Sequence, residues 1–569
     1  MKSVFKYLKP YYGKMVIGFI IKFIGTIMDL ALPWILAHII DDIIPLKEIN
    51  LIFLWGAIML LCCFIAVWGN IRANRNASAV AQNAVRDIRH DAFKKVMEMS
   101  QRQVDEITIP SIISRLTSDT YNIHQMIGMM QRLGVRAPLL FIGGICITLT
   151  LDTTLTCVLL ATVPFIVTLV FLTSKYGIPK YRKVQERMDD MVRVVRENIT
   201  GVRVIKALSM SDYEIERFKT VNKNLVNQEI NASQTMALNS PFMNIFLNVG
   251  LVCVIIVGAY RVNSGLTEAG KIMAFLSYFT IILMAMLMIT RIFIIMSRAS
   301  ASANRLEEIL LMQPELTISE SLPVDSDAHI IFDHVSFSYE NKKDNLSDIS
   351  FSLKHRESLG IIGATGSGKS TLVNVLMRFY DINSGSILID GKDIKSYELN
   401  ELRSKFGVVF QNDSIFTDTM KANIDFYRNI DDERIRKAII NAQALTVIES
   451  KTDGINEAIS AKGNNLSGGQ RQRVLIARAL AGCPDILILD DSSSALDYRT
   501  DAALRKAIND LDITSIIIAQ RVSSVKNCSQ IIVIDNGKVI AHGTHDELME
   551  TCDMYQQIAE SQMGGDFDA

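Results

Sequence analysis

Apolar residues gather into six long runs in the first 300 positions, at 15–40, 51–71, 139–154, 156–173, 241–260 and 272–296. Each is near the roughly 20 residues that carry a helix across a bilayer, so the pattern predicts six transmembrane helices. Polar connections of more than 50 residues separate runs two and three, and runs four and five. Stretches such as RKVQERMDDMVRVVRENITGVRVIKAL repeat their apolar positions at helical spacing, which extends the membrane helices into the aqueous phase as hairpins. At the tips, SIISRLTSD (111–119) and MSDYEIERF (210–218) pair a capping Ser or Asp with helix formers and read as short transverse helices that press on a soluble domain.

Charge orients these helices. Arg72, Arg75, Arg86, Arg89, Lys94, Lys95, Arg102, Arg115 and Arg132 fall between runs two and three, and a second basic set occupies 175–223. The opposite connections are short and carry few cations, such as Lys47, Arg261 and Lys271. The positive-inside rule then places both termini and both long connections in the cytoplasm of a multi-pass protein of the cell membrane. The N-terminal MKSVFKYLKPYYGK lacks a short apolar stretch followed by a small-residue cleavage site, and reads as an interfacial helix leading into the first span.

Beyond residue 296 the last helical pattern closes at Pro314, and a polar stretch at 315–328 reads as a linker. From 329 to 569 the pattern changes: β-branched runs (SLGIIGA, GVVFQ, ILILDD, TSIIIAQ, QIIVIDNG) alternate with helical ones, as in an α/β ATPase. The expected fold class is therefore multi-domain, with an all-α six-helix transmembrane domain at 1–314 and an α/β P-loop domain at 329–569.

Composition narrows the functional classes. With 569 residues, 49% of them hydrophobic, and a mean hydropathy of +0.23, the chain is too long for one core and too apolar for an ordinary soluble protein. A net charge of −1 gives no basic field, which argues against a nucleic-acid partner. The eight cysteines show neither zinc-site spacing nor the density of a disulfide framework, and read as buried free thiols.

The chemistry lies in the second domain. GATGSGKST, 363–371, has phosphate-loop spacing between a strand and a helix. Gly363, Gly366 and Gly368, with Thr365 and Ser367, let backbone N–H groups converge on phosphates, and the helix beginning at Lys369, Ser370 and Thr371 adds positive potential. Lys369 is expected to reach the β- and γ-phosphates of ATP, and Ser370 to hold Mg²⁺ together with Asp490 at the end of ILILD. Asp491 follows at once.

In the membrane part, Asp29 sits mid-run, where a carboxylate is costly enough to imply a cavity, a pore or a cationic partner. Transport-path contact and a structural role as a cap or ion-pair partner both remain open for it. Lys22 and Arg291 lie nearer the cytoplasmic ends of their runs, where snorkelling explains them. Met284 and Met288, among several Met and Phe residues of the last run, offer a soft surface for apolar ligands, or pack against lipid and helices.

LSGGQ at 466–470, followed by RQRVLIARAL, resembles the signature motif of ATP-binding cassette transporters, and the other elements agree in order and spacing. By this resemblance Tyr339 stacks on adenine, Gln411 is the Q-loop residue that reaches the metal, SALD at 494–497 is the D-loop, and Ser467, Gly468, Gly469 and Gln470 contact ATP held by a second nucleotide-binding domain. GTHDELM at 543–549 also looks like the family. Three departures stand out. Asp491 occupies the place where the family normally has the catalytic Glu, Gln520 that of a His contacting the γ-phosphate, and Ala461–Lys462 that of a Glu-Arg pair near the membrane domain. The resemblance is closest to the degenerate-site subunit of heterodimeric bacterial multidrug exporters. It implies a homologous partner subunit, amphipathic drugs or lipids as substrates, and hydrolysis mainly at the site completed by this chain's signature motif. The alternatives are a homodimeric lipid or peptide exporter, an importer built on the same fold, and an ATP-gated regulatory or channel-like membrane protein with little turnover.

Overall fold

The computed structural model describes residues 2–319, 322–339, 344–492 and 495–563, which form two compact units: Met1–Val96 with Pro110–Met312, and Met97–Ile109 with Gln313–Ala569.

The first unit is all helix. In order it runs through α1 (Lys2–Lys6), α2 (Tyr12–His38), α3 (Ile49–Glu98), α4 (Gln101–Ile107, which belongs to the second unit), α5 (Ile109–Ser114), α6 (Thr120–Leu151), α7 (Thr153–Thr200), α8 (Val202–Ala207), α9 (Ser211–Ala237), α10 (Asn239–Asn263) and α11 (Ala269–Leu311). Among the described residues five helical stretches are long and apolar enough to cross a membrane, and the remaining apolar run, expected at 156–173, corresponds to a shorter stretch, Thr153–Leu169, at the start of α7. The 50-residue α3 and 48-residue α7 join apolar and polar segments in one helix each, as the helical spacing of the long connections requires.

Polar groups set the helix ends. Asp152 lies between α6 and α7, accepts hydrogen bonds from the N–H groups of Thr154 and Leu155, and pairs with Arg261 at 3.0 Å. Asp41 accepts from the backbone N–H groups of Gly270 and Lys271 and so caps α11 from a distant part of the chain. Along α3 most buried positions are small, among them Ala66, Ala73, Ala77, Ala81 and Ala84, which lets neighbouring helices approach closely. The membrane core joins Leu30, Leu140 and Leu159 to Tyr278, Phe279 and Ile282, and a Cβ at Gly144 would stand 2.8 Å from Ile282.

The short helices differ in place from expectation. Residues 111–119 begin a continuous helical run into α6, and the separate short helix is α4. Likewise 211–218 open the long α9, and the short helix before it is α8. The physical reason at the first tip is Ser100, whose side chain accepts from the N–H of Gln103 while the Gln103 side chain accepts from the Ser100 N–H, a reciprocal cap that starts a helix ten residues earlier than anticipated.

The second unit is built on two sheets. Strands β1 (Ala328–Phe337), β2 (Leu346–Lys354), β4 (Ser384–Ile389) and β5 (Lys392–Asp393) form an antiparallel sheet in the order β2-β1-β4-β5. Strands β3 (Ser358–Ile362), β6 (Phe406–Val409), β7 (Ile486–Asp490), β8 (Thr514–Ile518), β9 (Gln530–Asp535) and β10 (Lys538–Gly543) form the other, in the order β10-β9-β3-β8-β7-β6. The five strands from β9 to β6 are parallel and β10 is an antiparallel edge. Strand β7 is buried at all five positions, the continuous apolar run expected of a parallel strand covered on both faces. The stretch read as a linker is strapped to this unit. Ser319 and Val324 N–H groups donate to the carbonyls of Lys395 and Gly391, and the buried Arg378 guanidinium donates to the Thr317 carbonyl at 2.6 Å. Also part of the unit, α4 is tied by the Tyr380 hydroxyl donating to Asp105 at 2.5 Å and the Ser100 hydroxyl donating to Glu315 at 2.5 Å.

Candidate ATP site

Three parallel strands aim their C-terminal ends at one place. β3 runs into the glycine-rich loop and α12 (Lys369–Leu376), β7 ends on Asp490, and β8 leads to Gln520 two residues past its end. Because β8 lies between β3 and β7, the loop, the acidic pair and the glutamine converge at the carboxyl edge of the sheet, where α/β folds place their ligands. There a cavity of about 290 Å³ is lined by Thr365, Gly366, Gly368, Lys369, Ser370, Thr371, Gln411, Asp490, Asp491 and Gln520, together with Asn345, Ile518 and Ala519.

The loop needs its glycines. Gly366 and Gly368 have φ of +82° and +106°, in the left-handed region, and a Cβ on Gly363 would stand 2.1 Å from the Ile534 carbonyl. Lys369 Nζ donates to the carbonyls of Gly363 and Ala364 at 2.9 and 2.8 Å, which holds the ammonium over the loop. Burial lowers its pKa, an effect that the carboxylates of Asp490 and Asp491 oppose. Ser367 Oγ is buried and has no hydrogen-bond partner among the described residues, a polar atom that an anionic ligand in the loop would satisfy.

The acidic pair splits into two environments. Asp490 is buried, and that burial raises its pKa; the Ser370 hydroxyl hydrogen-bonds it and, with Lys369, works in the opposite direction, while Asp491 reinforces the rise. Asp491 has φ of +48° and turns its carboxylate toward two amides: Gln520 Nε2 donates to Oδ2 at 3.2 Å and Gln411 Nε2 at 3.4 Å. Partial burial raises its pKa as well, against the Gln411 hydrogen bond and the charge of Lys369. Ser370, Asp490 and Gln411 offer hydroxyl, carboxylate and amide oxygens, a hard donor set that fits Mg²⁺. Bound there, the ion supplies charge neutralisation for the β- and γ-phosphate oxygens.

The other expected site residues lie around this cavity. Tyr339 is outside its lining; the ring packs edge-on against Phe337 and Tyr380, and the hydroxyl lies 3.4 Å from Thr371 Oγ1 and accepts from Asn374 Nδ2 at 3.1 Å. Ser467, Gly468, Gly469 and Gln470 are not brought to the cavity. They open the helix Gly468–Ala481, with Ser467 and Gln470 capping each other, and present its N-terminus as a second anion-binding end. The D-loop residue Ser494 lies outside the described residues. Ala461 and Lys462 are exposed in a single turn, with Lys462 at φ +59°.

Asn345 escaped the sequence reading. Its carbonyl stands 2.8 and 2.6 Å from where Cβ atoms of Gly368 and Gly537 would be, so its backbone packs directly against both glycines beside the cavity it lines. The signal is spread over glycines 23 and 192 positions away and has no local motif.

In the membrane unit Asp29 is paired. Arg136 donates to its carboxylate at 3.0 Å and Asn70 at 3.3 Å, and Lys22 donates to Asn70 and Asn74. Arg136 had no place in the sequence reading. Met284 is exposed and Met288 half-buried on α11, with Met286 buried between them.

Comparison with known proteins agrees with this architecture. Residues 15–286 match the model of the ABC transporter transmembrane region and residues 346–494 that of the ABC transporter domain. The chain is 34% identical over 570 residues to the uncharacterized ABC transporter ATP-binding protein YfiB of Bacillus subtilis, covering 99% of both. It is 30% identical to the probable multidrug resistance ABC transporter ATP-binding/permease protein YheH of the same organism, covering 90% of this chain and 77% of that protein. In fold it is similar to a bacterial Atm1-family ABC exporter solved with ATP bound, with a TM-score of 0.81, 22% identity, and coverage of 96% and 97%. With the exporter fold, a multi-pass membrane part and an ATP-binding domain joined in one sequence, the chain belongs to the ABC transporter family as an ATPase half-transporter.

Proposed function

We propose that the chain is one half of a heterodimeric exporter of amphipathic drugs or lipids, holding ATP and Mg²⁺ at a slow site and lending its signature motif to a faster one. The observation that carries this reading is Asp491. Its carboxylate is one methylene shorter than the glutamate normal at this position, and the amide of Gln520 stands beside it where the family normally has a histidine. Gln520 offers no imidazole for the γ-phosphate, and a misplaced base costs a general-base step about 10²- to 10⁴-fold. An identical partner would repeat both defects, whereas LSGGQ is intact and suited to completing the site of a subunit that carries Glu and His.

In this scheme Lys369 and the loop N–H groups bind the phosphates, Ser370, Asp490 and Gln411 hold the metal, and Tyr339 flanks the adenine. In this reading α4 and α8 are short helices within the two long cytoplasmic connections, and both termini are cytoplasmic. Substrate class rests on the resemblance to multidrug exporters, and YheH is a relative described in those terms. A homodimeric pump is the second reading, favoured by one observation: the Asp491 carboxyl lines the cavity with a raised pKa, as a base would.

The deciding experiment is phosphate release by the purified chain alone, and by the chain with its nearest co-expressed relative bearing Glu and His at the two positions. Activity confined to the pair supports the heterodimer. Full activity of the chain alone overturns it.

A further inference from the structure

A cluster of nitrogen and oxygen donors lies at one end of the strands of the antiparallel sheet, and none of its members lines the ATP cavity. His329 is the second residue of β1, His355 follows β2, and Asp390 sits in the turn after β4. Strand β1 pairs with both β2 and β4, and the Asp390 N–H donates to the His329 carbonyl at 2.9 Å, so the topology itself brings the three together. The two imidazoles stack with centroids 3.9 Å apart and both turn Nε2 toward one carboxylate oxygen, Asp390 Oδ1, at 3.6 Å for His329 and 3.1 Å for His355.

We propose that His329, His355 and Asp390 bind a transition-metal dication of the Zn²⁺ class on the nucleotide-binding unit. Zinc bonds of about 2.0–2.1 Å in tetrahedral array put donor atoms roughly 3.3 Å apart, close to the two nitrogen–oxygen separations present. All three donor atoms lie within 4.8 Å of one another. Two imidazoles and one carboxylate favour borderline ions over Mg²⁺ or Ca²⁺, which prefer oxygen throughout.

A second, independent observation is the buried histidine. The His329 side chain is 2% exposed, and among the described residues its Nε2 has no hydrogen-bond partner, because 3.6 Å to Oδ1 is beyond hydrogen-bond length. Its Nδ1 lies 2.8 Å from Thr514 Oγ1. An Nδ1–H donated to that hydroxyl leaves the Nε2 lone pair facing the cluster, which is the outer hydrogen bond by which proteins orient metal-binding imidazoles. Lys405 occupies the other oxygen, Oδ2, at 3.2 Å, and its charge is shared with Asp485 at 3.5 Å, so Oδ1 is left to the ion. The stacked rings are 14° from parallel, and in-plane coordination by both requires His355 to tilt; that side chain is 62% exposed and has room to do so.

The test uses full-length protein purified in detergent without a polyhistidine tag and stripped with a chelator. Zn²⁺ is titrated against a competing fluorescent chelator, and Co²⁺ absorbance reports coordination geometry. One Zn²⁺ per chain at micromolar affinity or tighter is expected, with a tetrahedral Co²⁺ spectrum and no displacement by Mg²⁺. His355→Ala and Asp390→Asn, both at exposed positions, are each expected to weaken binding by about tenfold or more. Absence of stoichiometric Zn²⁺, or wild-type affinity in both variants, overturns the proposal; circular dichroism of each variant confirms that the comparison is between folded proteins.

Discussion

Gln520 Nε2 donates to Asp491 Oδ2 at 3.2 Å, joining the ends of two neighbouring parallel strands across the cavity. Each member departs from the family pattern, and they satisfy one another: an amide can hold an uncharged or ionised carboxyl without a proton exchange between them. Replacing both, Asp491→Glu with Gln520→His, is expected to raise phosphate release by the chain alone by at least about tenfold, toward the 10²- to 10⁴-fold scale of general-base catalysis. Either single change should recover much less, because the two act as a unit.

Lys369→Ala removes the ammonium that spans the Gly363 and Ala364 carbonyls. Affinity for a fluorescent ATP analogue should drop by about tenfold or more, a loss of at least about 1.4 kcal/mol. The parallel sheet does not depend on this side chain, so far-ultraviolet circular dichroism should be unchanged.

Arg136→Ala leaves the Asp29 carboxylate in the membrane unit without its cationic partner. The pair is partly accessible, at 33% and 23%, so the cost should fall between the about 1 kcal/mol of an exposed pair and the about 3–5 kcal/mol of a buried one. Thermal unfolding in detergent measures it, and the double change with Asp29→Asn should recover part of the loss. A substrate-path role for Asp29 would instead show as altered transport with unchanged stability.

Cys528 is buried, and burial pushes its thiol up to about 11. The folded chain keeps a proton that the unfolded chain gives up near 9, so this group contributes stability below that pH and loses it as pH rises toward 11. Alkylation at pH 8 followed by peptide mass spectrometry should label the exposed Cys483 and spare Cys528 until denaturant is added.

Much of this architecture is legible from local pattern, because the forces that build it are local. Apolar run length predicts membrane helices, and the sequence from 363 to 371 dictates a loop whose glycines occupy conformations that other residues avoid. What escaped reading depends on distance or on competing signals. Arg136 meets Asp29 across 107 positions, and Asn345 reaches the phosphate loop through its backbone carbonyl, for which side-chain identity carries little information. SIISRLTSD reads as a short transverse helix because a serine precedes helix formers there, yet Ser100 and Gln103 hold the stronger reciprocal cap at S-x-x-Q. Two adjacent start signals competed, and the one with both hydrogen bonds won.

The Tyr380 hydroxyl bond to Asp105 gives that placement a measurable meaning. Tyr380→Phe with Ser100→Ala removes two hydrogen bonds to carboxylates, each of a kind that contributes about 1.5–3 kcal/mol. Amide exchange over Gln101–Ile107 should quicken while ATP affinity holds.

Since α4 is made some 200 residues before Gln313, the nucleotide-binding unit is a discontinuous piece of chain. At roughly 5–20 residues per second of synthesis, α4 waits on the order of 10–40 s for the surface that receives it. A recombinant fragment begun at Gln313 would contain both sheets and lack that helix, leaving Tyr380 and Glu315 without the partners α4 and Ser100 supply. Adding the 97–109 peptide in trans is then the natural way to make such a fragment behave, and its binding would report on one joint of the transporter in isolation.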